Sequence, residues 1–132
     1  MEIINVLAAA AAAYIFGAVW YMSLSKPWMA AANMSLEDIQ DENGKQKTIM
    51  PFIIAAISVI VVAGMMRHLF IMAGIEGLNK GALTGFGIGL FMVTPWLATC
   101  YAYGMKPRNL LLIDGGYTTF GCTIIGAVLV SF

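Results

Sequence analysis

Apolar positions along this chain gather into four long runs, at about 3–24, 51–74, 81–105 and 110–132, with polar residues concentrated between them. Each run is close to the ~20 residues that an α-helix needs to cross the hydrocarbon core of a bilayer. Lipid offers backbone N–H and C=O groups no partner, so runs of this length predict helices. A barrel would instead show alternating segments of ~10 residues. The expected fold class is all-α, a four-transmembrane-helix bundle in a single membrane domain covering 1–132.

The one connection with any length is residues 25–50, read as a loop on the cytoplasmic side. Pro27-Trp28-Met29 followed by Ala30, Ala31 and Ala32 has the form of an interfacial segment. Here Trp28 is expected at headgroup depth and Lys26 at the phosphates. Trp20 and Tyr21, which close the first run, are expected to anchor it at the same interface. Ser35-Leu36-Glu37-Asp38 reads as a helix N-cap with acidic residues in the first turn. Asn43-Gly44 reads as a turn, and Pro51 suits the first turn of the second long helix, where its missing N–H costs nothing.

Composition strengthens this picture. Hydrophobic residues make up 61% of the 132 and charged residues 11%, against roughly 25% charged in a typical soluble domain. A water-exposed globule this small would leave a large apolar patch uncovered. Seven basic and seven acidic residues cancel, which argues against nucleic acid as a partner. The first run contains the small-residue stretch Ala8 to Ala13, but Glu2 and the lack of Lys or Arg before it argue against a cleaved signal peptide and for a retained helix. Five basic residues flank the first and third connections (Lys26, Lys45, Lys47, Lys106, Arg108) and only Lys80 the second. The bias places both termini on the periplasmic side of a bacterial inner membrane.

Small residues recur at four-residue spacing: Gly81, Gly85 and Gly89 in the third run, Ala9, Ala13 and Gly17 in the first, and Thr118, Cys122 and Gly126 in the fourth. In lipid such rows let backbones approach closely, so they are expected to mark helix packing within the chain, ahead of a dimer seam. Pro95 removes one helical hydrogen bond and pushes on the carbonyl of Phe91, predicting a kink, with Thr94 and Thr99 offering hydroxyls to the disturbed carbonyls.

Candidate chemistry is sparse. Arg67 and Asp114 are the ionisable residues inside the apolar runs besides His68, and each would cost ~2.5–3.5 kcal/mol at the bilayer centre on insertion scales. Arg67 is within snorkelling reach of the outer interface. Asp114 falls about one turn inside the inner end of the last helix, near Lys26, Arg108, Tyr21 and Trp20. A structural bridge from Asp114 to a donor at that end is the favoured reading over a proton or substrate role, and a direct Arg67–Asp114 pair is not expected. His68 is expected to hydrogen-bond a neighbouring carbonyl or hydroxyl, with ligation of a partner's tetrapyrrole metal as a weaker alternative. Cys100 and Cys122 read as packing residues, and with a single histidine they do not make a metal site. No nucleophile–base pair or phosphate loop is present, so no enzyme activity and no cofactor are expected.

Three pieces of the chain resemble the DUF1761 family of small bacterial membrane proteins. They are Gly17-Ala18-Val19-Trp20-Tyr21-Met22-Ser23 leading to Lys26-Pro27-Trp28-Met29, the glycine-rich opening of the third run, and Lys106-Pro107 followed by Leu112-Ile113-Asp114-Gly115-Gly116-Tyr117. The resemblance implies a four-helix membrane topology and carries no catalytic residue, the family being of unknown function. Two readings follow. One is a non-catalytic accessory or structural subunit whose partners are membrane lipids and either its own copies or other membrane subunits. The other is a small oligomeric transporter or channel component with Asp114 and the Pro95 kink near its pathway.

Overall fold

The computed structural model describes residues 2–132, Glu2 by its backbone alone. It is all-helical, with no strand among the described residues. Helix α1 (Glu2–Ser23) passes through Leu24 into α2 (Ser25–Ala32) without losing its hydrogen bonds, since Leu24 N donates to Trp20 O and Trp28 N to Leu24 O. Asn33, in the left-handed region at φ 56°, ends α2, a conformation that asparagine tolerates better than most residues. A short α3 (Leu36–Ile39) and a tight turn at 41–44 follow. There Asp41 Oδ1 accepts the N–H groups of Asn43 and Lys45, and Gly44 takes φ +78°. The segment read as a loop thus holds two helices and a turn.

Helix α4 (Met50–Ala73) has Pro51 in its first turn and stops at Gly74, whose φ of +68° is the usual left-handed exit. The third apolar run is α5 (Leu78–Gly87), a π-helical stretch (Ile88–Val93) and α6 (Thr94–Tyr103); α7 (Arg108–Leu129) completes the chain. The third and fourth helices begin earlier than the apolar pattern predicts. Gly77 at φ +89° and the extended Pro107 set those starts, so polar Asn79, Lys80, Arg108 and Asn109 lie inside helices.

Four segments, Ile3–Ser23, Met50–Ala73, Leu78–Tyr103 and Arg108–Leu129, are long and apolar enough to cross a membrane. At ~1.5 Å rise per residue, even the shortest covers the ~30 Å hydrocarbon core. Large apolar side chains face outward all round, among them Ile15, Val19, Ile57, Val61, Met65, Leu83, Phe91 and Trp96. That surface requires lipid as its solvent.

Helix α7 is the hub: it packs most closely on α5, then on α1, with α4 lying mainly against α1. The alanines of α1 explain the α1–α4–α7 core. Ala9, Ala10 and Ala13 are buried between Val59, Ala63, Met66 and Phe70 of α4 and Cys122, Ile125 and Leu129 of α7. The α5–α7 contact is backbone on backbone. A Cβ on Gly85 would overlap the carbonyl of Cys122, and one on Gly126 the carbonyl of Gly81; one on Gly89 would sit 2.6 Å from Thr119 Cα. Only glycine permits that approach, which gains dispersion and Cα–H···O contacts.

At Pro95 the structure shows a change of hydrogen-bond register. The stretch before it widens to a π-helix, in which Thr94 N–H reaches back to the Gly89 carbonyl. Pro95 thereby falls in the first turn of α6, where no N–H is required of it.

Candidate functional site

The arrangement with the most chemical character is built around Asp114, in the second turn of α7. Three elements converge on its carboxylate. From the end of α1, Tyr21 Oη donates to Oδ1 at 2.5 Å; from α2, Trp28 Nε1 donates to the same oxygen at 3.2 Å; from the end of α6, the Tyr101 hydroxyl donates to Oδ2. All three donors are uncharged. A carboxylate offers about four lone-pair sites, and three are filled by the chain itself.

Small residues make this convergence possible. The Trp20 ring packs against Gly116, where a Cβ would come within 2.7 Å of Cζ2, and its Nε1 donates to the Ile113 carbonyl at 3.0 Å. Tyr117 fills the space beside Gly17, and Thr94 Cγ2 that beside Gly115. The rings form a continuous group: Phe16 stacks on Tyr117, Tyr21 lies 5.1 Å from Tyr117, and Trp28 meets Tyr21 edge-on at 6.3 Å. Such pairs add to the energy of burial. The three aromatics read as interfacial anchors, Trp20, Tyr21 and Trp28, therefore aim their polar atoms at α7.

One turn further along α7 is a group of hydroxyls. Thr94 Oγ1 donates to the Gly89 carbonyl at 2.7 Å and lies 3.1 Å from Thr118 Oγ1 and 3.3 Å from Thr119 Oγ1. Thr99 Oγ1 donates to the Pro95 carbonyl.

The remaining candidates stand apart. Arg67 and His68 are seventeen and eighteen residues into α4, whereas Asp114 is six residues into α7. Both helices start from the same end of the bundle, so at ~1.5 Å per residue they differ by roughly 16 Å in depth. Arg67 is half-buried and is not a partner of Asp114. His68 is exposed on the outer face, and among the described residues nothing hydrogen-bonds it, contrary to the carbonyl or hydroxyl partner expected. Lys26 and Arg108, expected at the level of Asp114, do not bond it either. The glycines Gly81, Gly85, Gly89 and Gly126 lie in the α5–α7 seam, while Ala13 and Gly17 face α4 and Tyr117. Among the described residues, no three His, Cys, Asp or Glu side chains cluster as a metal site would require.

Tyr101 and the inward turn of Trp28 are what sequence reading missed. The available signal was their position: Tyr101 ends the third span and Trp28 follows the first, at the same end of the bundle as Asp114. The segments that carry the family resemblance, around Trp20-Tyr21, Trp28 and Asp114-Gly115-Gly116-Tyr117, are those that meet here. Comparison with curated proteins and with solved structures finds no match. A family model described as a protein of unknown function (DUF1761) matches residues 4–130, nearly the whole chain. With that match and four membrane-length helices, the chain belongs to the DUF1761 family.

Proposed function

We propose that the protein is a non-catalytic subunit of a bacterial cytoplasmic membrane, both termini on the periplasmic side, which packs with its own copies or joins a larger membrane complex. The observation that carries this reading is the filling of Asp114 by Tyr21, Trp28 and Tyr101. A carboxylate that moves protons or substrate needs lone pairs open to a pathway, whereas this one ties α1, α2 and α6 to α7. The excess of basic residues in the first and third connections supports the orientation. An open apolar groove between α4 and the third span, lined by residues including Met65, Met66, Met92 and Trp96, supports association through that side.

The test is extraction of the full chain in a mild detergent, followed by size analysis and crosslinking. A particle heavier than the monomer, with other proteins or further copies in fixed ratio, supports the proposal; a purely monomeric particle rejects it. A second reading, a transporter component, is favoured by the π-helical stretch and the Thr94–Thr118–Thr119 hydroxyls beside Asp114, since π segments recur at functional positions. It requires proton flux in proteoliposomes, read with a pH-sensitive dye, that Asp114→Asn abolishes while the variant still inserts and keeps its helical content.

A further inference from the structure

Where α2 lies across the start of α7, the two helices do not close on each other. Pro27, Ala30 and Ala31 on one side and Pro107, Asn109, Leu112 and Ile113 on the other bound an open groove of about 500 Å³. That volume is within the ~300–1,000 Å³ range of clefts that hold small molecules. Its walls are mostly short or apolar side chains, and the amide of Asn109 is the polar side chain among them.

The two prolines bring charge to the rim. Lys26 precedes the lining residue Pro27, and Lys106 and Arg108 flank the lining residue Pro107, so three cations from two distant parts of the sequence each stand one residue from the groove's wall. All three are exposed, and none makes an ion pair among the described residues. Among the described residues, no acidic side chain lines the groove. The carboxyl nearest along α7, Asp114, is engaged by Tyr21, Trp28 and Tyr101.

We infer that this groove is a binding site for an anionic phospholipid, with an acyl chain against Ala30, Ala31 and Leu112 and the phosphate among Lys26, Lys106 and Arg108. An apolar trough with a cationic rim at a span end matches both halves of such a lipid. A zwitterionic lipid leaves the excess positive charge uncompensated. The inference rests on the placement of the helices in a bilayer and not on the subunit proposal.

The experiment is native mass spectrometry of the full chain released from neutral detergent, titrated with dioleoyl phosphatidylglycerol or dioleoyl phosphatidylcholine. One phosphatidylglycerol is expected per chain, with phosphatidylcholine at least tenfold weaker. Lys106→Gln alone weakens binding about fivefold, and Lys26→Gln, Lys106→Gln and Arg108→Gln together roughly a hundredfold. Ala31→Trp, which fills the groove and leaves the cations in place, also costs at least tenfold, with helical content unchanged by circular dichroism. Equal affinity for the two lipids overturns the inference. So does wild-type affinity in the charge variants, or weakening by the charge variants but not by Ala31→Trp, which would show attraction to a charged surface without a groove.

Discussion

Tyr21 and Asp114, 93 residues apart, are joined by a 2.5 Å hydrogen bond that ties the end of the first membrane helix to the start of the last. Trp28 approaches the same carboxylate oxygen from the other side of Leu24, so the bond holds the α1–α2 corner as well as the helix. Removing one partner of a half-buried hydrogen-bonded pair leaves the other to be desolvated without compensation, at a cost of ~1–3 kcal/mol. Tyr21→Phe and Asp114→Asn are each expected to destabilise the fold by that amount, and the double variant by less than their sum. Reversible unfolding in mixed micelles, analysed as a double-mutant cycle, checks this. Additive losses would mean that the two residues do not act through each other.

The glycines of α5 differ sharply in what surrounds them. A Cβ at Gly85 meets the Cys122 carbonyl and the Thr123 backbone, whereas one at Gly87, two residues on, meets nothing within 4 Å. Backbone cannot rotate aside as a side chain can, so Gly85→Ala must push α5 from α7 at ~1–3 kcal/mol or more. Gly87→Ala, in a helical conformation that alanine adopts freely, is expected to be neutral or to stabilise by up to ~1 kcal/mol. The same unfolding measurement on the two variants decides the matter, and similar effects would contradict the packing described.

Much of this fold is written in the hydropathy of the chain. Four apolar runs of membrane length, Gly81, Gly85 and Gly89 in one row, and Pro51 in a first turn all find places in the structure that local physics accounts for. What could not be read was side-chain direction. Trp20 and Trp28 have the composition of headgroup anchors, yet a tryptophan N–H takes whichever acceptor is nearest, and in the assembled bundle those are the Ile113 carbonyl and Asp114. Asp114 was recognisable as costly in lipid, but the donors that satisfy it come from α1, α2 and α6 and are adjacent only after folding. The π-helical register before Pro95 was equally hidden, because it depends on Gly89 lying against α7 as well as on the proline.

In the connection outside the membrane, Asp38 accepts the Ser35 backbone N–H at 2.8 Å and its hydroxyl at 3.1 Å. The backbone bond chiefly, and then the hydroxyl, hold the carboxyl below its ordinary value of 3.8. A carboxyl depressed in the folded state favours that state fully above its unfolded value, and the advantage fades as pH falls through the folded one. The α3 turn is therefore expected to fray below about pH 4, seen as faster amide exchange at residues 36–40 while the membrane helices stay protected. Ser35→Ala should move the Asp38 titration upward, toward 3.8. Alanine keeps the backbone N–H, so that shift is only part of the way, and an unchanged titration in the variant would show that the Ser35 hydroxyl does not contribute.

Thr94 serves two purposes at the junction of the π stretch and α6, and two substitutions separate them. Its hydroxyl donates to the Gly89 carbonyl and lies among Thr118 and Thr119, while its methyl packs beside Gly115. Thr94→Val keeps the shape and removes the hydroxyl, leaving Thr118 and Thr119 without their shared neighbour; a loss of ~1–2 kcal/mol is expected. Thr94→Ser keeps the hydroxyl and removes one methyl, whose cost is nearer ~1 kcal/mol or less. The valine variant should also raise amide exchange along 88–94, because the Gly89 carbonyl would retain only the backbone bond from residue 94. If valine proves as stable as threonine and exchange is unaltered, the widened turn is held by Pro95 and the glycine contact alone, and the hydroxyl group does not support it.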